Sequence, residues 1–360
     1  MMISLINIQF EDMLMTSRLV ECVPNFSEGR DKTIIDRIIQ PILDNEGVTL
    51  LDIDMGVDFN RTVVTMVGDP ESVLDTVVQC TSIALELIDM TMHSGEHARM
   101  GAVDVVPFIP ISNVSMDDCV DLSHRYGKAI STKHNLPIYL YAESAKLTQR
   151  VRLPDIRRGE YEGFQDKLSQ PEWKPDYGPS QFTPKMGVTA TGGRNLLIAY
   201  NVNLNTDNKS QANQIAGKIR TSGHLIKDEE GSTIKDANGK PLRQPGIFSN
   251  LQAAGWMYDD KTAQVSMNLL DFNSTGLHQV TDAIRIEASK LGLQAISSEL
   301  VGLVPLEAIL AAGQHYGNNP DASEQELVDY AINGLMLNKL EDFDPNSNII
   351  EWAIRGDHIE

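Results

Sequence analysis

The stretch Lys32-Thr33-Ile34-Ile35-Asp36-Arg37-Ile38-Ile39-Gln40-Pro41-Ile42-Leu43 places its isoleucines at the three-and-four spacing of an amphipathic helix. On its N-terminal side, residues 19–24 form a short apolar run and read as a strand. On its C-terminal side, residues 49–53 and 62–67 are two further strands, separated by a Gly/Asp/Asn turn region. Pro70 then opens a long helix to about Leu87; proline suits a first turn because its missing N–H has no helical partner there anyway. Residues 103–109 read as a continuous apolar strand. Ser115-x-x-Asp118 can cap a helix to about His134, and residues 137–141 are another strand. The order is β-α-β-β-α-β, the split βαβ pattern, with an α-β pair appended.

Residues 150–187 break this rhythm. Pro154, Gly159, Gly163, Pro171, Pro175, Gly178, Pro179, Pro184 and Gly187 punctuate the segment, and a long structure-poor stretch in a compact protein is usually functional or a linker. A second series follows: a strand at 195–203, a helix at 208–220, strands at 253–258 and 263–269, a helix at 275–291 and a strand at 294–298. An insertion rich in Gly, Asp and Lys, 223–246, reads as an exposed hairpin or loop. Short helices end the chain at 306–316 and 324–337. The expected fold class is α+β: two tandem β-α-β-β-α-β, ferredoxin-like subdomains, 18–194 and 195–352. Helices should lie outside and the sheets face each other across a substrate cleft. Residues 1–17 are expected to be a disordered extension or a misassigned start, and 353–360 a tail.

The chain has 360 residues, 30 Lys+Arg against 50 Asp+Glu, and a formal net charge of −20. A hydrophobic fraction of 41% supplies ample core. The charge repels phosphate backbones and anionic lipid, which argues against nucleic-acid or membrane partners. No window approaches the ~18 apolar residues of a membrane span, and a cytoplasmic protein is expected. Cys22, Cys80 and Cys119 are odd in number and widely spaced, which fits a reducing compartment and three buried thiols rather than disulfides.

Four polar clusters stand out. In His93-Ser94-Gly95-Glu96-His97-Ala98-Arg99-Met100-Gly101, the pattern H-x-x-E-H permits two readings. One is a zinc site through His93, Glu96 and His97, weakened by Gly95 inside a would-be helix and by the lack of a third ligand downstream. The other is a proton shuttle on one histidine, with Glu96 and Arg99 orienting it or binding substrate. Asp52 and Asp54 share one face of a strand, and Asn60-Arg61 follow them with an amide and a fixed cation. The third cluster is Glu21 to Arg30, after the first strand. The fourth is Gly192-Gly193-Arg194-Asn195, whose glycines would allow close approach to an anion but lack nucleotide-loop spacing.

Several of these blocks resemble the glutamate formimidoyltransferase family. Leu19-Val20-Glu21-Cys22-Val23-Pro24-Asn25-Phe26-Ser27-Glu28-Gly29 is similar to its opening signature. Asp52-Ile53-Asp54-x-Gly56 with Asn60-Arg61-Thr62 is similar to its next block, and Gly95 to Asp104 to its catalytic loop. Further likeness runs through Gly159-Glu160-Tyr161-Glu162, Asp176-Tyr177-Gly178-Pro179, Asn201-Val202-Asn203-Leu204, Gln264 to Asp271 and Leu300 to Leu306. The resemblance covers about Leu19 to Trp352. Ala98 stands where the family often has Pro, and the 223–246 insertion is longer than in the animal enzymes.

The resemblance implies transfer of a formimidoyl group from N-formimidoyl-L-glutamate to N5 of tetrahydrofolate, in histidine degradation, by a homodimer of two-subdomain chains. Tetrahydrofolate is a co-substrate and no metal is implied. The helical cyclodeaminase domain fused downstream in animals is missing, so deamination is expected of a separate protein. The family's catalytic histidine falls on His97 rather than His93. Asp54 is then expected to be the partner of the cationic amidine or the orienter of His97. Substrate and folate contacts are expected from Asn25, Asn60, Arg61, Glu96, Arg99, Gly178, Phe182, Lys185 and Arg194. The cations should form a basic cleft for anionic substrates inside an acidic protein. Alternatives are formyl transfer from 5-formyltetrahydrofolate, a non-catalytic folate-binding protein, and the zinc hydrolase.

Overall fold

A computed structural model describes residues 18–228, 230–340 and 342–356. The calls on residues 1–17 and on the end of the tail lie outside these. The chain divides into two compact units after Asn195.

In the first unit, β1 (Leu19–Cys22) and β2 (Asn25–Phe26) are two halves of one strand, interrupted at Val23-Pro24, where proline cannot donate to a ladder. Then come α1 (Lys32–Leu43), β3 (Val48–Gly56), β4 (Arg61–Gly68), α2 (Pro70–Leu87), β5 (Val103–Ser112), α3 (Met116–His134), β6 (Ile138–Leu140), α4 (Leu153–Arg157), α5 (Glu160–Leu168) and β7 (Thr189–Gly193). The helix α1 has the bounds its isoleucines dictate. Asp31 caps it by accepting from the Thr33 N–H at 2.9 Å. It buries Ile35, Ile38, Ile39 and Ile42, each worth about 1.5–3 kcal/mol by area removed from water. The Ser115–Asp118 capping box forms as expected.

The sheet runs β3-β4-β1/β2-β5-β7-β6. Its first four members are antiparallel, with the first strand between the third and fourth, the arrangement the split βαβ order calls for. β7 runs parallel to both β5 and β6. Two expectations for 150–195 are corrected. The punctuated segment carries α4 and α5, with Pro154 in a first turn and Gly159 (φ +92°) between them. And Gly192-Gly193 belongs to a fully buried strand: a Cβ on Gly192 would lie 2.2 Å from the Tyr141 carbonyl oxygen. Those glycines serve strand packing rather than an anion loop.

The helices therefore do not all lie on one face. One core packs α1, α2 and α3 against Val20, Cys22, Phe26, Val64, Met66, Val103 and Phe108. A smaller core joins Ile156, Phe164 and Leu168 of α4 and α5 to Val105, Tyr139, Tyr141 and Ala190. The three thiols are buried and unpaired with one another; burial pushes Cys80 and Cys119 up to about 12.

The second unit has β8 (Ile198–Leu204), α6 (Lys209–Ile219), β9 (His224–Leu225), β10 (Arg243–Gln244), β11 (Leu251–Met257), β12 (Ala263–Leu269), α7 (Leu277–Lys290), β13 (Ala295–Val301), α8 (Leu306–Tyr316) and α9 (Glu324–Leu335). Its antiparallel sheet, β11-β12-β8-β13, repeats the split βαβ order. One apolar core joins the sheet to its helices. A last helix, Ile350–Gly356, continues into the span expected to be a tail.

The 223–246 insertion stands on the β9–β10 pair. Beyond that stem Ile226, Ile234 and Leu242 close a triangle of backbone bonds: Ile226 N–H to Leu242 O at 3.0 Å, Ile234 N–H to Ile226 O at 2.9 Å and Leu242 N–H to Ile234 O at 2.8 Å. Asp228 and Asp236, eight residues apart, each accept two backbone N–H groups within their own turns. No helix among the described residues is long and apolar enough to cross a membrane.

Candidate active site

Four segments of the first unit converge at the start of β5: β2, the β3–β4 turn, the loop 93–101 and the end of α4. Their common partner is Asp104, fully buried. Asn25 pairs with Val105 and Phe26 with Val103, so Asp104 is the extra residue of a β-bulge, a device that re-aims a side chain out of the ladder. Asp104 Oδ2 accepts from Arg61 Nη1 at 2.7 Å and from Arg157 Nη2. Oδ1 accepts from the Met100 N–H at 3.0 Å. Burial alone would push this carboxyl up. The Arg157 and Arg61 guanidiniums outweigh burial and hold it below the usual carboxylate range. Arg61 also donates through Nη2 to Asn25 Oδ1, and Asn25 Nδ2 is tied to the Val23 carbonyl at 2.7 Å.

His97 stands beside this cluster. Its Nδ1 lies 2.6 Å from the Ala98 carbonyl oxygen and 3.3 Å from Arg61 Nη1. A carbonyl only accepts, so Nδ1 carries the proton, and Nε2 is left with its lone pair. Burial first, then the Arg61 guanidinium, lower the imidazole pKa to about 4. Phe59 packs edge-on to the ring at 6.1 Å between centroids. These contacts favour a neutral imidazole with Nδ1 as donor and Nε2 open to accept. An NMR titration should show one neutral, Nδ1-protonated imidazole from pH 8 down to about 5, with a midpoint near the value of about 4. A midpoint at the ordinary 6.5 or so would mean that neither burial nor Arg61 reaches the ring.

The loop that carries His97 is pinned by its neighbours. Asn60 takes φ +47° at the β3–β4 turn, tolerable for Asn. It accepts from the Gly29 N–H at 3.0 Å and donates to the Ser94 carbonyl at 3.0 Å. The His93 Nε2–H donates to the Asn60 carbonyl at 2.9 Å, and His93 Nδ1 accepts from Arg99 Nε at 3.4 Å. Arg99 in turn grips both Glu162 oxygens, and Glu160 Oε2 at 3.1 Å.

These contacts revise several expectations. The loop is not helical, both His93 nitrogens are engaged by the protein, and Glu96 is exposed. His93, Glu96 and His97 therefore do not share the helix face that the zinc reading needs. Ala98, not Asp54, orients His97. Asp54 is exposed on the edge strand β3. It shares a face with Arg61, because Gly56 pairs with Arg61 and Asp54 with Val63. Arg99, expected to contact substrate, is instead paired with Glu160 and Glu162. An open pocket of about 530 Å³ beside it, lined by His93, Ser94, Gly95, Arg99, Glu160 and Glu162, is acidic and does not include His97.

Lys185 is at the end of α2, donating to the Glu86 carbonyl at 2.8 Å. Gly178 makes a turn: its φ is +81°, and a Cβ there would lie 2.2 Å from the Leu136 carbonyl oxygen. Phe182 packs on Tyr161 at 5.3 Å. Arg194 donates its backbone N–H to the Phe108 carbonyl, four residues along β5 from Asp104, or about 13 Å at ~3.3 Å per residue. Its side chain reaches the Tyr141 hydroxyl, which Arg157 also faces. Of the expected basic group of Arg61, Arg99, Lys185 and Arg194, Arg61 is joined instead by Arg157 on the buried Asp104 carboxylate, with Arg194 further along β5 at Tyr141.

Sequence reasoning missed Asp104 and Arg157. A signal existed for the first: a charged residue inside a run read as continuously apolar is the informative exception. Arg157 sits in the segment taken as structure-poor, and only its tertiary placement marks it.

Residues 19–194 match the "Formiminotransferase domain, N-terminal subdomain" family model, and residues 199–355 the "Formiminotransferase domain" model. The chain belongs to the formiminotransferase family. It is 45% identical to a formimidoyltransferase-cyclodeaminase of Dictyostelium discoideum over 345 residues, 95% of this chain and 61% of that protein. A formimidoyltransferase-cyclodeaminase of Rattus norvegicus is 45% identical over 94% of this chain and 60% of its own length. A glutamate formimidoyltransferase of Streptococcus pyogenes serotype M1 is 39% identical over 83% of this chain and 93% of its own. This formiminotransferase chain therefore spans about three fifths of the length of the first two relatives.

Proposed function

We propose that this formiminotransferase chain moves the formimidoyl group of N-formimidoyl-L-glutamate to N5 of tetrahydrofolate, with His97 as the proton carrier. The observation that carries this reading is His97, with Nδ1 turned to the Ala98 carbonyl and Nε2 left to accept, held beside two guanidiniums, Arg61 and Arg157, that share the Asp104 carboxylate. The donor carbon is an amidine carbon, cationic when protonated, and attack by neutral N5 on it needs no oxyanion hole. N5 forms a bond to that carbon and becomes cationic. His97 Nε2 takes the proton N5 sheds, then delivers it to the glutamate nitrogen as the old C–N bond breaks. Each proton transfer of this kind is typically worth ~10²–10⁴-fold.

Holding the two substrates together supplies the proximity part of the acceleration. Asp54, exposed on the Arg61 face, is suited to the amidinium. Arg61, Arg157 and Arg194 suit the carboxylates, since the planar guanidinium pairs with them bidentately. The same reading takes the enzyme to be a cytoplasmic homodimer. A tetrahydrofolate-dependent assay with N-formimidoyl-L-glutamate, run beside one with 5-formyltetrahydrofolate and glutamate, tests it. Turnover in the first arm is the expected result. Turnover in the second alone makes the enzyme a formyltransferase, and tight folate binding without turnover in either makes it a binding protein.

A further inference from the structure

Arg157 depends on a helix that cannot aim it unaided. α4 has five residues and no side-chain cap at its N-terminus, far below the length at which helices hold themselves together. The Arg157 Nε is buried without a hydrogen-bond partner, so its guanidinium is anchored through the Nη2 bond to Asp104. Its direction must come from the backbone.

That backbone is gripped by a single ammonium. Lys167 of α5 donates to the carbonyl oxygens of Ile156, Arg158 at 3.0 Å and Asp155 at 3.4 Å, which bracket Arg157 on both sides. An ammonium has three N–H donors, so the three carbonyls match its full capacity. The lysine is 8% exposed, and its partners are carbonyls rather than a carboxylate. The Trp173 ring lies 3.9 Å from Nζ and the Phe164 ring 5.0 Å, contacts that attract a cation where burial lowers the lysine's pKa to about 8. A buried charge of this kind is costly unless fully bonded, and here every bond it makes falls on the turn that presents one arginine.

We propose that Lys167 is a positioning residue for Arg157: it fixes the 155–158 turn so that the guanidinium meets the substrate carboxylate. The inference rests on the reading that Arg61 and Arg157 receive the anionic substrate. The test is a double-mutant cycle on the whole chain, read as binding of L-glutamate by calorimetry and as KM against kcat in the formimidoyl assay. Arg157→Ala should weaken glutamate binding on the order of tenfold or more, as expected for a lost charge-assisted bond. Lys167→Met should weaken it comparably and raise KM with kcat nearly unchanged. In the Arg157→Ala background, Lys167→Met should then cost less than about twofold, because coupled positions are not additive.

Should Lys167→Met not fold, Lys167→Gln, which keeps one NH₂ group toward the carbonyls, carries the same cycle with a smaller expected loss. If Arg157→Ala binds glutamate as tightly as the unaltered chain, the substrate reading fails and the proposal falls with it. If Arg157→Ala weakens binding but Lys167→Met does not, or if the lysine's cost persists undiminished without Arg157, the positioning role alone is overturned.

Discussion

His97→Ala should lower kcat for formimidoyl transfer by ~10²–10⁴-fold, the usual worth of a proton-transfer group, with KM for tetrahydrofolate changed little. The asymmetry follows from the geometry. His97 is held through its Nδ1 at Ala98, and Nε2, the nitrogen proposed to carry the proton, takes no part in that bond. Its removal leaves Arg61, Asp104 and Arg157 joined as before. His93→Ala gives the contrast: it breaks the bridge from Asn60 to Arg99, so it should loosen the loop and lower stability as well as rate. Unchanged turnover in His97→Ala would remove that residue from the mechanism.

Asp104→Asn should destabilise the first unit by about 3–5 kcal/mol, the cost of breaking a buried ion pair by removing one partner. Two guanidiniums would then face each other across a neutral amide. The carboxyl's pKa is lowered on folding, so its contribution is present above the unfolded value of about 3.9 and is lost as pH falls through the folded value. The variant should therefore show both a lower unfolding free energy near neutrality and a shallower further loss in acid. Urea unfolding at pH 7 and at pH 3, with hydrogen exchange at β4 and β5, measures both. A change below ~1 kcal/mol at pH 7 would mean that Asp104 does not hold the two arginines in place.

Both β-α-β-β-α-β orders were legible because periodicity reports burial on a local scale. The isoleucines of 34–42 and the cap at Ser115–Asp118 specify their helices without reference to distant residues. His97 was singled out through resemblance, and the structure adds what surrounds it: the Ala98 carbonyl at Nδ1 and the Arg61 guanidinium beside the ring. What could not be read depends on contacts far along the chain. β7, Thr189-Ala190-Thr191-Gly192-Gly193, is buried on both faces and shows no alternation. α4 and α5 are short helices in a segment where proline and glycine look like breaks, although Pro154 lies where a helix begins. Arg99 and Lys185 were assigned by charge alone. Their partners, Glu160 and Glu162 in one case and the end of α2 in the other, lie 61 or more residues away. Asp104 owes its role to a single-residue slip in register that no pattern of side-chain types announces.

The triangle formed by Ile226, Ile234 and Leu242 bears on how this chain can vary. Each backbone bond closes a circuit within the insertion, and the stem, His224 opposite Gln244, brings its ends together. The entropy of closing a loop grows only with the logarithm of its length, about 0.6 kcal/mol per doubling. A foreign peptide spliced into the Asp236–Gly239 turn would thus meet a frame already sealed beneath it. The insertion is a port at which epitopes, tags or tethers can be grafted on the second unit, while His97 and its arginines belong to the first.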